Sequence, residues 1–69
     1  MTYSYVIVFE SLEKDDVRNL KNLLEDIGDT YANINYRKNT ATMDSSEPIQ
    51  EIFHVLEENG YSVIDVEMK

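Results

Sequence analysis

What most constrains this chain is the order in which its apolar periodicity changes. Two stripes recur at helical spacing: Val17, Leu20, Leu23, Leu24 and Ile27, then Ile49, Ile52, Phe53 and Leu56. Around them lie four short segments rich in β-branched and aromatic residues or alternating in polarity: Tyr3 to Glu10, Tyr31 to Tyr36, Thr40 to Asp44 and Tyr61 to Met68. The order is strand, helix, strand, strand, helix, strand. The first segment is apolar on both faces, with Val6 and Val8 on one and Tyr5, Ile7 and Phe9 on the other. Such a strand belongs in the middle of a sheet.

Punctuation between the segments agrees. Ser11 is placed to cap the first helix, and Glu13, Asp15 and Asp16 put negative charge in its first turn. Gly28 stands where a left-handed C-cap would end it. Arg37, Lys38 and Asn39 separate two short strands as a hairpin would. Ser45, Ser46 and Pro48 mark the start of the second helix, and Gly60, after Asn59, marks its end. Two right-handed crossovers with both helices on one face then give a four-stranded antiparallel sheet. The expected fold is a ferredoxin-like α+β sandwich over residues 1–69, as one domain.

Length limits what such a domain can do. A chain of 69 residues builds a core worth only about 3–5 kcal/mol, so a partner is a common aid. There is no cysteine, which removes disulfides and thiolate metal sites and favours the cytoplasm. The longest apolar run, Val6 to Phe9, is far too short for a membrane span, and no basic side chain precedes it as in a signal peptide. The net charge is −8, from 14 acids and 6 bases divided evenly between the two halves of the chain. That balance disfavours nucleic acid and anionic lipid and favours a solvated surface or a basic partner.

The stretch Ile52-Phe53-His54-Val55-Leu56-Glu57-Glu58-Asn59-Gly60-Tyr61-Ser62-Val63 is similar to the second helix and last strand of heavy-metal-associated domains, the copper chaperones and metal-ATPase modules. The hairpin Ala32 to Tyr36 and Thr40 to Met43 resembles theirs too, and size and element order fit over nearly the whole chain. The resemblance implies a Met-x-Cys-x-x-Cys motif holding a soft ion between the first strand and first helix. Aligned on Val17, that motif falls on Ser11 to Asp16, with Ser11 at the methionine position and Glu13 and Asp16 at the cysteines. Every soft ligand is replaced, so the resemblance implies the scaffold without the thiolate chemistry.

Few residues remain as site candidates. Glu13 and Asp16, with Asp15, are weak hard-cation ligands, since no Asp-rich loop with a central glycine accompanies them. His54 lies off the apolar stripe with no nucleophile arrangement around it. Neither a phosphate loop nor a distinguished carboxylate pair points to catalysis, so no enzyme and no cofactor are expected. Placing both helices over Val6 and Val8 leaves Tyr3, Tyr5, Ile7 and Phe9 on the open side of the sheet, where an apolar row marks an interface. The reverse arrangement makes the same row the core.

The expectation is a non-enzymatic protein-interaction or regulatory module, self-associating as a homodimer or bound to a protein partner. One alternative is a degenerate metal-trafficking protein using Met43, Met68, His54 or carboxylates. Another is a small acidic inhibitor that mimics nucleic-acid charge.

Overall fold

A computed structural model describes residues 2–28 and 31–68; Met1, Asp29, Thr30 and Lys69 lie outside the described residues. The elements are β1 (Tyr3–Phe9), α1 (Asp16–Ile27), β2 (Asn33–Asn35), β3 (Thr40–Ser45), α2 (Ile49–Glu58) and β4 (Val63–Met68). One antiparallel sheet has the order β2-β3-β1-β4, which is the ferredoxin-like arrangement. β1 is central as its two apolar faces required, pairing with β3 on one side and β4 on the other.

The helices lie on the face opposite to the one expected. Tyr5, Ile7 and Phe9 are buried beneath them in one cluster with Leu20 and Leu24 of α1, Ile52 and Leu56 of α2, and Ala41 and Met43 of β3. Phe9 is 1% exposed. Its ring meets Tyr61 edge-on, with centroids 6.1 Å apart. The open-face interface is therefore corrected for these three residues; of the four in the row, Tyr3 alone is exposed, at the end of the strand. The physical reason is volume. The space between a sheet and its helices must be filled to crystal-like density, and Tyr, Ile and Phe fill it where a Val6/Val8 row would not.

The open face is instead polar and low in relief. Asn35, Thr40, Val8 and Asp65 form one row across the sheet, and Asn33, Thr42, Val6 and Glu67 the next. Ser4 donates a 2.6 Å hydrogen bond to Asp44 Oδ1 in the row beyond. β4 carries one extra residue: Val8 pairs with Asp65 but Phe9 with Val63, so Ile64 is bulged and exposed. That bulge is why the last segment alternates imperfectly.

The helix ends show how side chains tie the layers together. α1 begins at Asp16, later than a Ser11 cap would set it. Between them Leu12 turns into the core, and its N–H is held by Asn39 Oδ1 at 2.8 Å. Asn39, in the left-handed region at φ 57°, also accepts Phe9 N–H at its carbonyl, at 2.8 Å. This one turn residue thus pins both ends of the span from Phe9 to Leu12. Gly28 is not left-handed (φ −103°). It is glycine because a Cβ would stand 2.9 Å from Asp44 O, Leu24 O and Met43 Cε. Gly60 does adopt φ +87°. Gly60 N–H reaches Glu57 O at 3.1 Å and Tyr61 N–H reaches Leu56 O at 3.0 Å, a Schellman closure of α2.

Ser45 is fully buried and works as a staple rather than as a helix cap. Its hydroxyl donates to Ile27 O at the end of α1 and accepts Glu47 N–H just before α2, both at 3.0 Å. Tyr5 OH donates to Glu47 O at 2.8 Å, fixing the same peptide to β1.

Two predictions follow from this packing. Phe9→Glu yields an unfolded chain rather than a folded monomer, because it buries a charge in place of a ring whose loss alone costs about 3–5 kcal/mol; circular dichroism reads the outcome, and a folded variant contradicts it. Ser45→Ala leaves Ile27 O and Glu47 N–H without their partner and lowers stability by about 1–3 kcal/mol. That is a fall in Tm of about 4–8 °C per kcal/mol for a domain of this size, measured by thermal melting.

Candidate interaction surface

The Ser11 to Asp16 span is the first place to look, and its acids are occupied with the backbone. Asp16 Oδ2 accepts Glu13 N–H at 3.0 Å, while Asp16 N–H returns to Glu13 O, also at 3.0 Å. Glu13 and Asp15 are exposed, and Asp16 is half-buried at the helix start. Asp16 therefore closes a turn, and its negative charge suits the helix N-terminus. Among the described residues no group of three or more His, Asp or Glu converges on a cation position. Met43 and Met68, the two methionines among the described residues, lie on opposite sides of Tyr5, each as its cross-strand neighbour, two strand spacings apart or about 10 Å. His54 is exposed on α2, with Nε2 3.0 Å from Glu58 Oε1 one turn on. Such an exposed pair contributes at most about 1 kcal/mol.

The surface that stands out is elsewhere. Among the described residues five large apolar side chains are exposed, and three of them, Tyr3, Ile49 and Met68, are placed around Tyr5. Its ring centroid is 6.2 Å from that of Tyr3, Met68 is its partner on β4, and its hydroxyl holds Glu47 two residues before Ile49. Sequence periodicity put Ile49 in the buried stripe, but it is 38% exposed, and Met68 is 56% exposed.

Helix geometry explains why. Glu51, Ile52 and Val55 of α2 line a cleft with Asp26, Ile27 and Gly28 at the end of α1. The flank of α2 a third of a turn away, carrying Ile49 and Phe53, therefore faces away from α1. α2 packs over β4 while α1 packs over β2 and β3. The flank of α2 with Ile49 and Phe53 is thus turned toward the β4 side of the molecule, and Val66 and Met68 are on the helix side of β4. Phe53 and Val66 are half-buried. Beyond them, Gln50, His54, Glu57 and Glu58 continue a shallow strip along α2.

Folding also sorts the charge, although the two halves of the sequence match. Lys14, Arg18 and Lys21 lie on α1 and the span before it, and Arg37 and Lys38 sit at the β2–β3 turn. Residues 39–68 contain no Lys or Arg, but they do contain Asp44, Glu47, Glu51, Glu57, Glu58, Asp65 and Glu67. The α2–β4 side is acidic throughout its described length.

The open sheet face has one ring among the described residues, Tyr31, beside Asn33, Thr42 and Asp44 in a shallow polar depression. Stacking platforms for bases combine several rings with cationic side chains; this face has a single ring and acids.

Tyr61 has its phenol pushed up from its ordinary pKa of 10.0, first by burial and then by the Asp16 carboxylate across from it. A raised folded value favours the neutral form. The stabilising contribution is thus complete below pH 10.0 and is lost as pH rises through the folded value. Tyr61→Phe should flatten the decline in denaturant midpoint on the alkaline side of pH 10 relative to the parent; an unchanged slope contradicts the assignment. Comparison of the chain with protein-family models, with curated proteins and with solved structures finds no match.

Proposed function

We propose that this chain is a non-catalytic protein-interaction module of the cytoplasm, which binds a protein partner through the α2–β4 flank. The observation that carries the reading is that Tyr3, Ile49 and Met68 are exposed large apolar side chains placed around Tyr5, on the acidic side of the molecule. Contiguous exposed apolar side chains rimmed by charge mark interaction sites. The polar side chains inside the fold support the same reading. The Tyr5 and Ser45 hydroxyls and the Asn39 amide oxygen are each spent on a backbone group, so they hold architecture rather than await a substrate.

In this reading the chain keeps the scaffold that resembles heavy-metal-associated domains and uses it without metal. A charge mimic of nucleic acid would present carboxylates alone. Here Glu57, Asp65 and Glu67 border an apolar seam, which favours a protein partner that is itself part apolar and part basic.

The test is photo-crosslinking in cells expressing the chain, with the reactive residue at Ile49 or, as a control on α1, at Asn19. A discrete adduct from position 49 that is absent from position 19 is expected. Equal adducts from both positions, or none from position 49, would overturn the reading.

A further inference from the structure

β4 is an edge strand, so every second N–H and C=O along it points outward with no strand to meet them. The bulge at Ile64 interrupts its upper end, which leaves Asp65 to Met68 as the regular stretch. Along that stretch the two faces differ sharply. Asp65 and Glu67 share the open face with Val8 and Val6, while Val66 and Met68 share the helix face with Ile7 and Tyr5. On the helix side, the flank of α2 with Ile49 and Phe53 is turned away from α1, toward the β4 side of the sheet.

We propose, building on the module reading above, that this free edge docks an extended basic segment of a partner protein as a fifth strand. Side chains of successive residues in the added strand point to opposite faces. Apolar residues at alternate positions pack on the Ile49 and Phe53 side, against Val66 and Met68. Lys or Arg at the intervening positions faces Asp65 and Glu67, where opposite charges directly across a strand pair are favourable and like charges are not. Main-chain hydrogen bonds supply the affinity, and the alternation supplies the selectivity.

A second copy of this chain fits the edge badly. Two antiparallel β4 strands in a register that keeps the apolar faces together bring Asp65 and Glu67 of one copy against those of the other. A register shifted by one residue sets these acids on the apolar face of its partner. Among the described residues of α2 and β4 no Lys or Arg offsets the repulsion. Charge therefore selects a basic strand over self-pairing.

The experiment is a residue-resolved amide NMR titration of the whole chain. The first probe is an acetylated, amidated Lys-Val-Arg-Val-Lys-Val peptide, and the second is its Glu-Val-Glu-Val-Glu-Val counterpart. The basic peptide should shift amides from Ile64 to Met68 together with Ile49 and Phe53, and the acidic one should not. Binding should weaken about tenfold as salt rises from about 0.02 M to about 0.2 M, as expected for exposed charges. The doubly exposed variant Asp65→Lys with Glu67→Lys, checked for folding by its own spectrum, should exchange the preference and take the acidic peptide. Shifts centred on α1 or on the open face, equal response to both peptides, or no response would overturn the proposal. So would concentration-dependent shifts of the β4 edge without peptide, since the edge would then hold a second copy. An adduct at position 49 with no basic-peptide response sinks the strand proposal and leaves the module reading intact. A β4 response with no adduct does the reverse.

Discussion

Everything in this molecule depends on the burial of one face of β1. Tyr5, Ile7 and Phe9 supply its central row, and both helices close over them. β1 is paired on both edges, as is β3, but its buried row is large where that of β3 is Ala41, Met43 and Ser45. A domain of this size has about 3–5 kcal/mol to spare, so this single row decides whether the chain is folded. Its outer end also has a second consequence: Tyr5 anchors the Glu47 peptide, which fixes where α2 begins.

The connections depend on a few polar side chains that act on backbone rather than on each other. Asn39 holds Leu12 by its side chain and Phe9 by its carbonyl, Ser45 joins the end of α1 to the approach of α2, and Asp16 closes the turn before α1. Asn39 and Ser45 thereby satisfy peptide groups that burial would otherwise orphan. This is why the span from Ser11 to Asp16 holds a defined path between β1 and α1. Its geometry is set by Asn39 from the opposite hairpin and by the Asp16 turn.

Much of the fold was legible in the sequence. The two helical stripes and four strand-like segments gave the element order, and the double apolarity of Val6 to Phe9 gave the central strand. Gly60 read correctly because a left-handed C-cap has a local signature. Gly28 did not, because its requirement is a close approach to β3, a tertiary fact. The sidedness of β1 was the larger gap. Both faces are apolar, so periodicity could not rank them, and side-chain volume was the signal that could have. The candidate surface was almost invisible. Ile49 and Phe53 sit in a stripe that reads as core, and only the packing of α2 at the sheet's edge exposes one side of that stripe. The charge separation was legible as the run from 39 to 68 without Lys or Arg, which a comparison of equal halves averages away.

The functional account rests on β4 being an open edge beside an apolar helix flank. Residue-resolved amide hydrogen exchange on the isolated chain tests that most directly, since exchange reports how each backbone group is held. The account predicts uniform slow exchange along β1 and β3 and alternating slow and fast amides from Asp65 to Met68, the fast ones being those that point away from β1. Uniform protection along β4 would mean that its outer edge is already occupied, which would contradict the account.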